Sequence, residues 1–135
     1  MLKLTKKVEY ALIALVHITD QEEGKLSSAK EIAETNLIPA EILAKTLQKL
    51  AALNLVKSVK GARGGYRICS DIDKINVIDF IEMLEGPVGL TDCSTAIKCD
   101  QECGCMIKDP MIQINSKIIS TLKNITLDQF TKSVR

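Results

Sequence analysis

Between Ser28 and Arg67 the chain carries its helix starts, turns and glycines in an order that few folds accept. Ser28-Ala29-Lys30-Glu31 is a capping box, in which the Ser hydroxyl and the Glu carboxylate satisfy each other's free backbone N–H groups. It predicts a short helix from about Ala29 to Thr35. Asn36-Leu37-Ile38 then makes a tight turn, and Pro39 suits the first position of a second helix. That helix has a predicted buried stripe of Ile42, Leu43, Thr46, Leu47, Leu50 and Leu53. Two helices joined so closely read as helix-turn-helix. Two β-rich runs follow, Leu55 to Val59 and Tyr66 to Cys69, and they flank Lys60-Gly61-Ala62-Arg63-Gly64-Gly65. This is a hairpin with a glycine-rich, cationic tip. Helix-turn-helix followed by a basic hairpin is a winged helix.

A winged helix predicts double-stranded DNA as partner. The outward face of the second helix carries Ala40, Glu41, Ala44, Lys45, Gln48 and Lys49, small or polar enough to approach base edges and phosphates; the plainer reading is a solvated helix face. In the wing, Lys60, Arg63 and Arg67 supply charge for a minor groove or a phosphate, and glycines such as Gly64 let backbone come close. Ser28 and Pro39, at the two helix starts, complete the predicted DNA-facing set. Net charge is only +1 over 135 residues, which hides an asymmetry. Residues 1–67 hold 11 Lys/Arg against 7 Asp/Glu, a balance of +4, while residues 68–135 hold 7 against 10, a balance of −3. The basic half is the one with the DNA-binding pattern.

Around this unit the apolar spacing predicts further helices. Thr5 caps a first helix with the stripe Val8, Ala11, Leu12, Leu15 and Ile18; Glu9 and His17 lie beside it, and His17, the one histidine, is expected as a partly buried, hydrogen-bonded ring. A short helix begins after Asn76 on Val77, Ile78, Phe80, Ile81 and Leu84, and Gly86-Pro87 stops it. Asp109-Pro110 starts a long helix with Met111, Ile114, Ile118, Leu122 and Ile125 in register and Ile112 and Ile119 widening the stripe. So broad an apolar face near the end of a small chain predicts a homodimer helix. Thr126-Leu127-Asp128-Gln129 is a last capping box. The predicted fold is mainly α with a small β-hairpin. Residues 1–75 form a winged helix-turn-helix DNA-binding domain, and residues 76–135 hold a loop (87–108) and the long C-terminal dimerisation helix.

That loop holds four of the five cysteines, Cys93, Cys99, Cys103 and Cys105, within 13 residues. Lys6, Lys7 and Glu9 break up the apolar start, and the run Ala11 to Val16 is too short for a signal peptide or a membrane span, so a cytoplasmic, reducing setting without membrane contact is expected. There, clustered thiols favour metal binding or redox sensing over structural disulfides. Cys69 stands apart and reads as a small core residue. Zinc prefers two close cysteine pairs and only Cys99 with Cys103 fits that spacing, although four thiolates can close a zinc site. Wider spacing suits an iron–sulfur cluster wrapped by a loop. No nucleophile–base pair and no phosphate-cradling glycine loop is evident, so no enzyme activity is expected.

Three stretches carry a resemblance: Leu4-Thr5-Lys6-Lys7-Val8-Glu9-Tyr10-Ala11-Leu12, the wing Lys60-Gly61-Ala62-Arg63-Gly64-Gly65-Tyr66, and the loop with Cys93, Cys99 and Cys105 six apart. Together they resemble the Rrf-type winged-helix transcription regulators, IscR- and NsrR-like, over nearly the whole chain. Leu84-Glu85-Gly86-Pro87 leading to Leu90-Thr91-Asp92-Cys93, and the tail Ile114-Asn115 through Ile125-Thr126-Leu127, look most like regulators of the SUF iron–sulfur assembly system. The resemblance implies a homodimeric DNA-binding regulator whose cluster (2Fe-2S or 4Fe-4S) rests on three cysteines that map onto Cys93, Cys99 and Cys105; a repressor is the expected sense. It also implies a variable fourth ligand. IscR-like members use a histidine three residues past the last cysteine, where this chain has Lys108; NsrR-like members use an acidic residue on the first helix of the other subunit, a place held here by Glu9, with Cys103 the alternative. Lys60 stands where several relatives have a wing arginine and Ala44 where some have a base-reading glutamate, so a different operator is implied. The other expectation is a cluster-free winged-helix repressor that uses zinc, thiol oxidation or a protein partner.

Overall fold

In the computed structural model, which describes residues 3–69, 71–95, 98–101 and 104–133, local caps set most of the helix starts. Thr5 Oγ1 accepts from Val8 N–H and opens α1 (Lys6–Thr19). Ser28 Oγ accepts from Glu31 N–H at 3.1 Å and opens α2 (Ala29–Asn36). Pro39 occupies the N-cap of α3 (Ala40–Ala52), one position before the helical start expected for it, and supplies no side-chain bond. The Asn76 carboxamide bonds both the backbone N–H and the carboxylate of Asp79, opening α4 (Val77–Glu85). Helix α5 spans Lys108–Lys123, starting one residue before the expected Asp109. The capping box of Thr126 and Gln129 closes in both directions at 3.1 Å and starts α6 (Leu127–Ser133).

The wing is an antiparallel pair, β1 (Val56–Val59) and β2 (Gly65–Ile68), in the register Val56 opposite Ile68 and Val59 opposite Gly65. Ser27 bonds back to Tyr66 through both backbone groups, at 2.7 and 3.1 Å, so the approach to α2 lies as a short third edge against the hairpin. Two single-turn 3₁₀ segments, Ile72–Lys74 and Asp92–Ser94, complete the described elements.

One apolar cluster joins these parts. All five predicted stripe residues of α1 are buried, with Ala14 added; against them pack Ile32, Leu43, Leu47 and Leu50 from α2 and α3, Phe80 and Leu84 from α4, and Leu127 from α6. The cluster therefore draws on both sides of residue 75. After α5 the chain returns to the stretch before α4, where Val77 N–H donates to Ile125 O and Leu127 N–H to Ile75 O, both at 2.8 Å.

Several positions differ from expectation. Ile42, assigned to the buried stripe of α3, is 45% exposed: periodicity sets which way a side chain points but not whether a neighbouring element covers it. Helix α2 also runs through Asn36, whose amide donates to Ile32 O and to His17 Nδ1, so the turn begins at Leu37. Leu37 leaves the helix in the left-handed region (φ 54°) and stands 91% exposed. His17 is partly buried and hydrogen-bonded, as expected. Cys69 is only half-buried, short of a core position.

Candidate nucleic-acid interface and cysteine loop

The helix-turn-helix and the wing both carry exposed cations. Ala40, Glu41, Lys45, Gln48 and Lys49 are exposed on α3 and Ala44 is half-exposed. Pro39 is exposed at the start of α3. Ser28, with its oxygen engaged by Glu31 N–H, keeps its hydroxyl proton for another acceptor. Lys60, Arg63 and Arg67 are all exposed on the wing. Among the described residues none of Lys45, Lys49, Lys60, Arg63 and Arg67 makes an ion pair, whereas Lys6, Lys30, Lys74 and Lys132 do.

The register adds a residue that sequence reading passed over. Lys57 lies directly opposite Arg67, and both are exposed. Like charges directly opposite on a sheet destabilise it, so the pair suits a surface that meets a polyanion. The signal was the alternation of β1, but the pairing depends on the length of the turn.

The wing glycines have an internal reason to be there. A Cβ on Gly64 would run into the carbonyl oxygens of Val59 and Gly61, and one on Gly65 would lie 2.7 Å from Ser27 O. The tip is closed by Gly64 N–H donating to Gly61 O at 3.0 Å. Arg63 is held on this turn at the outer end of the hairpin.

The cysteine loop is rooted between α4 and α5. Gly86 ends α4, with its N–H donating to Glu82 O. Four residues on, Leu90 N–H donates to the side-chain Oδ1 of Asn115 at 3.1 Å. Asn115 is the one buried residue of α5, 8% exposed. It too was missed as a site residue; its signal was a polar side chain inside an isoleucine-rich helix. The same root touches the first helix, because Lys7 Nζ donates to Leu84 O at 2.8 Å and Thr5 Oγ1 to Glu85 Oε1.

Within the loop, Cys93 lies in the 3₁₀ turn Asp92–Ser94, with its sulfur 3.0 Å from Thr91 Oγ1. Cys99 and Cys105 are half-buried, and all three thiols are free of disulfides. Cys105 borders an open cleft of about 380 Å³ with Asp100, Gln101, Gly104 and Met106. Cys103 lies outside the described residues. Thiols in a loop with wide spacing suit an iron–sulfur cluster by donor type. Among the described residues no three Cys, His, Asp or Glu side chains come together as a metal-binding group. Glu9 is on α1, half-buried, with its carboxylate 2.6 Å from Lys6 Nζ; this contact raises the affinity of Lys6 for its proton, chiefly through the hydrogen bond.

A helix-turn-helix followed by a wing, both bearing exposed cations, defines a class: DNA-binding transcription regulators. The chain belongs to the Rrf2 family, described as iron-dependent transcriptional regulators, which it matches over residues 4–133. It is similar to the HTH-type transcriptional regulator NsrR of Bacillus subtilis, with 28% identity over 134 residues that cover 98% of this chain and 92% of that protein. Among solved structures it resembles CymR, the global cysteine regulator of B. subtilis, with a TM-score of 0.79 and 27% identity over 98% of both chains. It also resembles T. potens IscR, with a TM-score of 0.75 and 28% identity over 99% of this chain and 89% of that one. No described helix is long and apolar enough to cross a membrane.

Proposed function

We propose that the chain is a homodimeric repressor whose hold on DNA is set by an iron–sulfur cluster on the cysteine loop, and that it governs genes of iron–sulfur assembly. The observation that carries this reading is the rooting of a thiol-bearing loop: its start is bonded to α5 through Asn115, and the end of α4 just before it is bonded to α1 through Lys7 and Thr5. A change in the loop thus reaches the first helix of the DNA-binding half through two hydrogen bonds.

In this reading Cys93, Cys99 and Cys105 hold the cluster, and the fourth ligand is Glu9 of the partner subunit or Cys103. The contact with Lys6 engages only Oε2 of Glu9, so Oε1 is left for coordination. When bound, the cluster supplies a centre that iron supply, oxidants or nitric oxide can remove or alter. Residues 1–75 read DNA through Ser28, Pro39, Ala40, Glu41, Ala44, Lys45, Gln48, Lys49, Lys60, Arg63, Gly64 and Arg67. Residues 76–135 sense and dimerise. Two protomers would engage half-sites about one helical turn apart.

Chain purified anaerobically is then brown, with iron and acid-labile sulfide in stoichiometric amounts, and retards promoter DNA differently with and without the cluster. Colourless protein whose metal content stays unchanged after anaerobic reconstitution overturns the reading. A second reading, a cluster-free regulator that acts through zinc, thiol oxidation or a protein partner, is favoured by the likeness to the cysteine regulator CymR and by the separation of the described thiols. Metal analysis of the same preparation distinguishes the two.

A further inference from the structure

Where α1, α3 and α4 meet, a cleft of about 280 Å³ is lined by Lys7, Ile42, Lys45, Thr46, Lys49 and Leu84. Three of the six are lysines and none is acidic. Among the described residues none of the three makes an ion pair, so the free protein concentrates positive charge there without compensation. The floor is apolar: Ile42 is exposed at its edge and Leu84 is buried below.

We propose that Lys7 is a phosphate-binding residue of the DNA interface, and that this cleft seats one stretch of sugar–phosphate backbone beside α3. The inference rests on the DNA-binding reading of α3 and the wing, and extends it to the first helix. Lys45 and Lys49 belong to the face that meets the duplex, and they share their cleft with Lys7, so a strand following α3 comes within reach of all three. An apolar floor with a cationic rim matches a deoxyribose flanked by phosphates. The plainer role for Lys7 is to satisfy a free carbonyl at the C-terminal end of α4, which it does through Leu84 O at 2.8 Å. The roles are compatible, because an ammonium has three donors and that bond uses one. Lys7 would then hold a phosphate and the end of α4 together, immediately before the cysteine loop.

The test uses the full chain and a fluorescently labelled duplex of mixed sequence, titrated across roughly 50–200 mM salt. Lys7→Gln keeps a donor for Leu84 O but loses the charge, and Lys7→Arg keeps both. The expected result is that Lys7→Gln reduces the slope of log affinity against log salt by about 0.9 per bound protomer, as Lys45→Ala does, while Lys7→Arg retains it. A slope unchanged in Lys7→Gln but reduced in Lys45→Ala overturns the role of Lys7 and leaves the DNA-binding reading intact. If wild-type protein does not bind the duplex, or Lys45→Ala has no effect, that reading of α3 fails and the inference with it. Should Lys7→Gln not fold, lysine acylation of the wild-type protein with and without duplex decides: protection of Lys7 supports the proposal, and undiminished reactivity overturns it.

Discussion

Gly64 sits where any side chain would press on the carbonyls of Val59 and Gly61, backbone atoms that cannot swing aside. Gly64→Ala therefore strains the tip of the wing by about 1–3 kcal/mol. We expect faster amide exchange in β1 and β2, unchanged exchange in the core of α1, and weaker DNA binding; unaltered hairpin exchange would show that the turn relaxes freely. Asn115 is the matching case in α5. Asn115→Leu leaves Leu90 N–H without its acceptor, at a cost of about 1 kcal/mol because half-buried Leu90 can recruit water. Its amide should exchange faster than in the wild type, and an unchanged rate would mean that the loop is held elsewhere. At this scale the sequence was legible where chemistry is local. Thr5, Ser28, Asn76 and Thr126 each satisfy backbone groups a few residues away, and all four act as caps. Contacts that depend on distant partners, such as Lys57 opposite Arg67 or Asn115 holding Leu90, have no local signature.

Helix α5 differs from every other long helix in how little of it is covered. Ile114 is 47% exposed, Ile112 is also exposed, and Met111, Ile118, Ile119 and Leu122 are only half-buried; Ile125, expected in the same stripe, lies just past the end of the helix. Such a stripe costs free energy in water at about 25 cal/mol per Å² of apolar surface, which favours covering it. If a second copy covers it, Ile114→Glu leaves the protomer folded and shifts the protein to monomer, as sedimentation equilibrium can measure; a variant that stays dimeric places the interface elsewhere. The stripe on α5 was legible from spacing alone, as were α1 to α4 and the hairpin to within one or two residues. The exposure of Ile42 was not, since the packing of α3 against α1 and α4 decides it. Nor was the loop, because four cysteines without periodicity carry donor chemistry but no geometry.

At the scale of the whole molecule, the charge asymmetry of the sequence and the division of labour it suggests meet a core that does not divide. Leu127 begins the last helix, some 50 residues beyond the winged helix, and is fully buried in the cluster that contains Val8, Leu15, Leu47 and Phe80. Its backbone N–H donates to Ile75 O, at the boundary proposed between the DNA-reading and sensing parts. Sensing and DNA reading can then be separate in surface while sharing one interior, and a disturbance in the C-terminal part is felt under the recognition helix. Leu127→Ala tests this. Truncation of a fully buried leucine costs about 2–5 kcal/mol, and with a shared core the whole chain should bear the loss. Far-UV circular dichroism of the whole chain and a fluorophore attached to the wing should melt together, in one transition displaced to lower temperature. If the wing keeps its wild-type midpoint while the C-terminal half unfolds early, the two parts are thermodynamically separate. The signal from the loop would then have to reach DNA through the dimer rather than through the core.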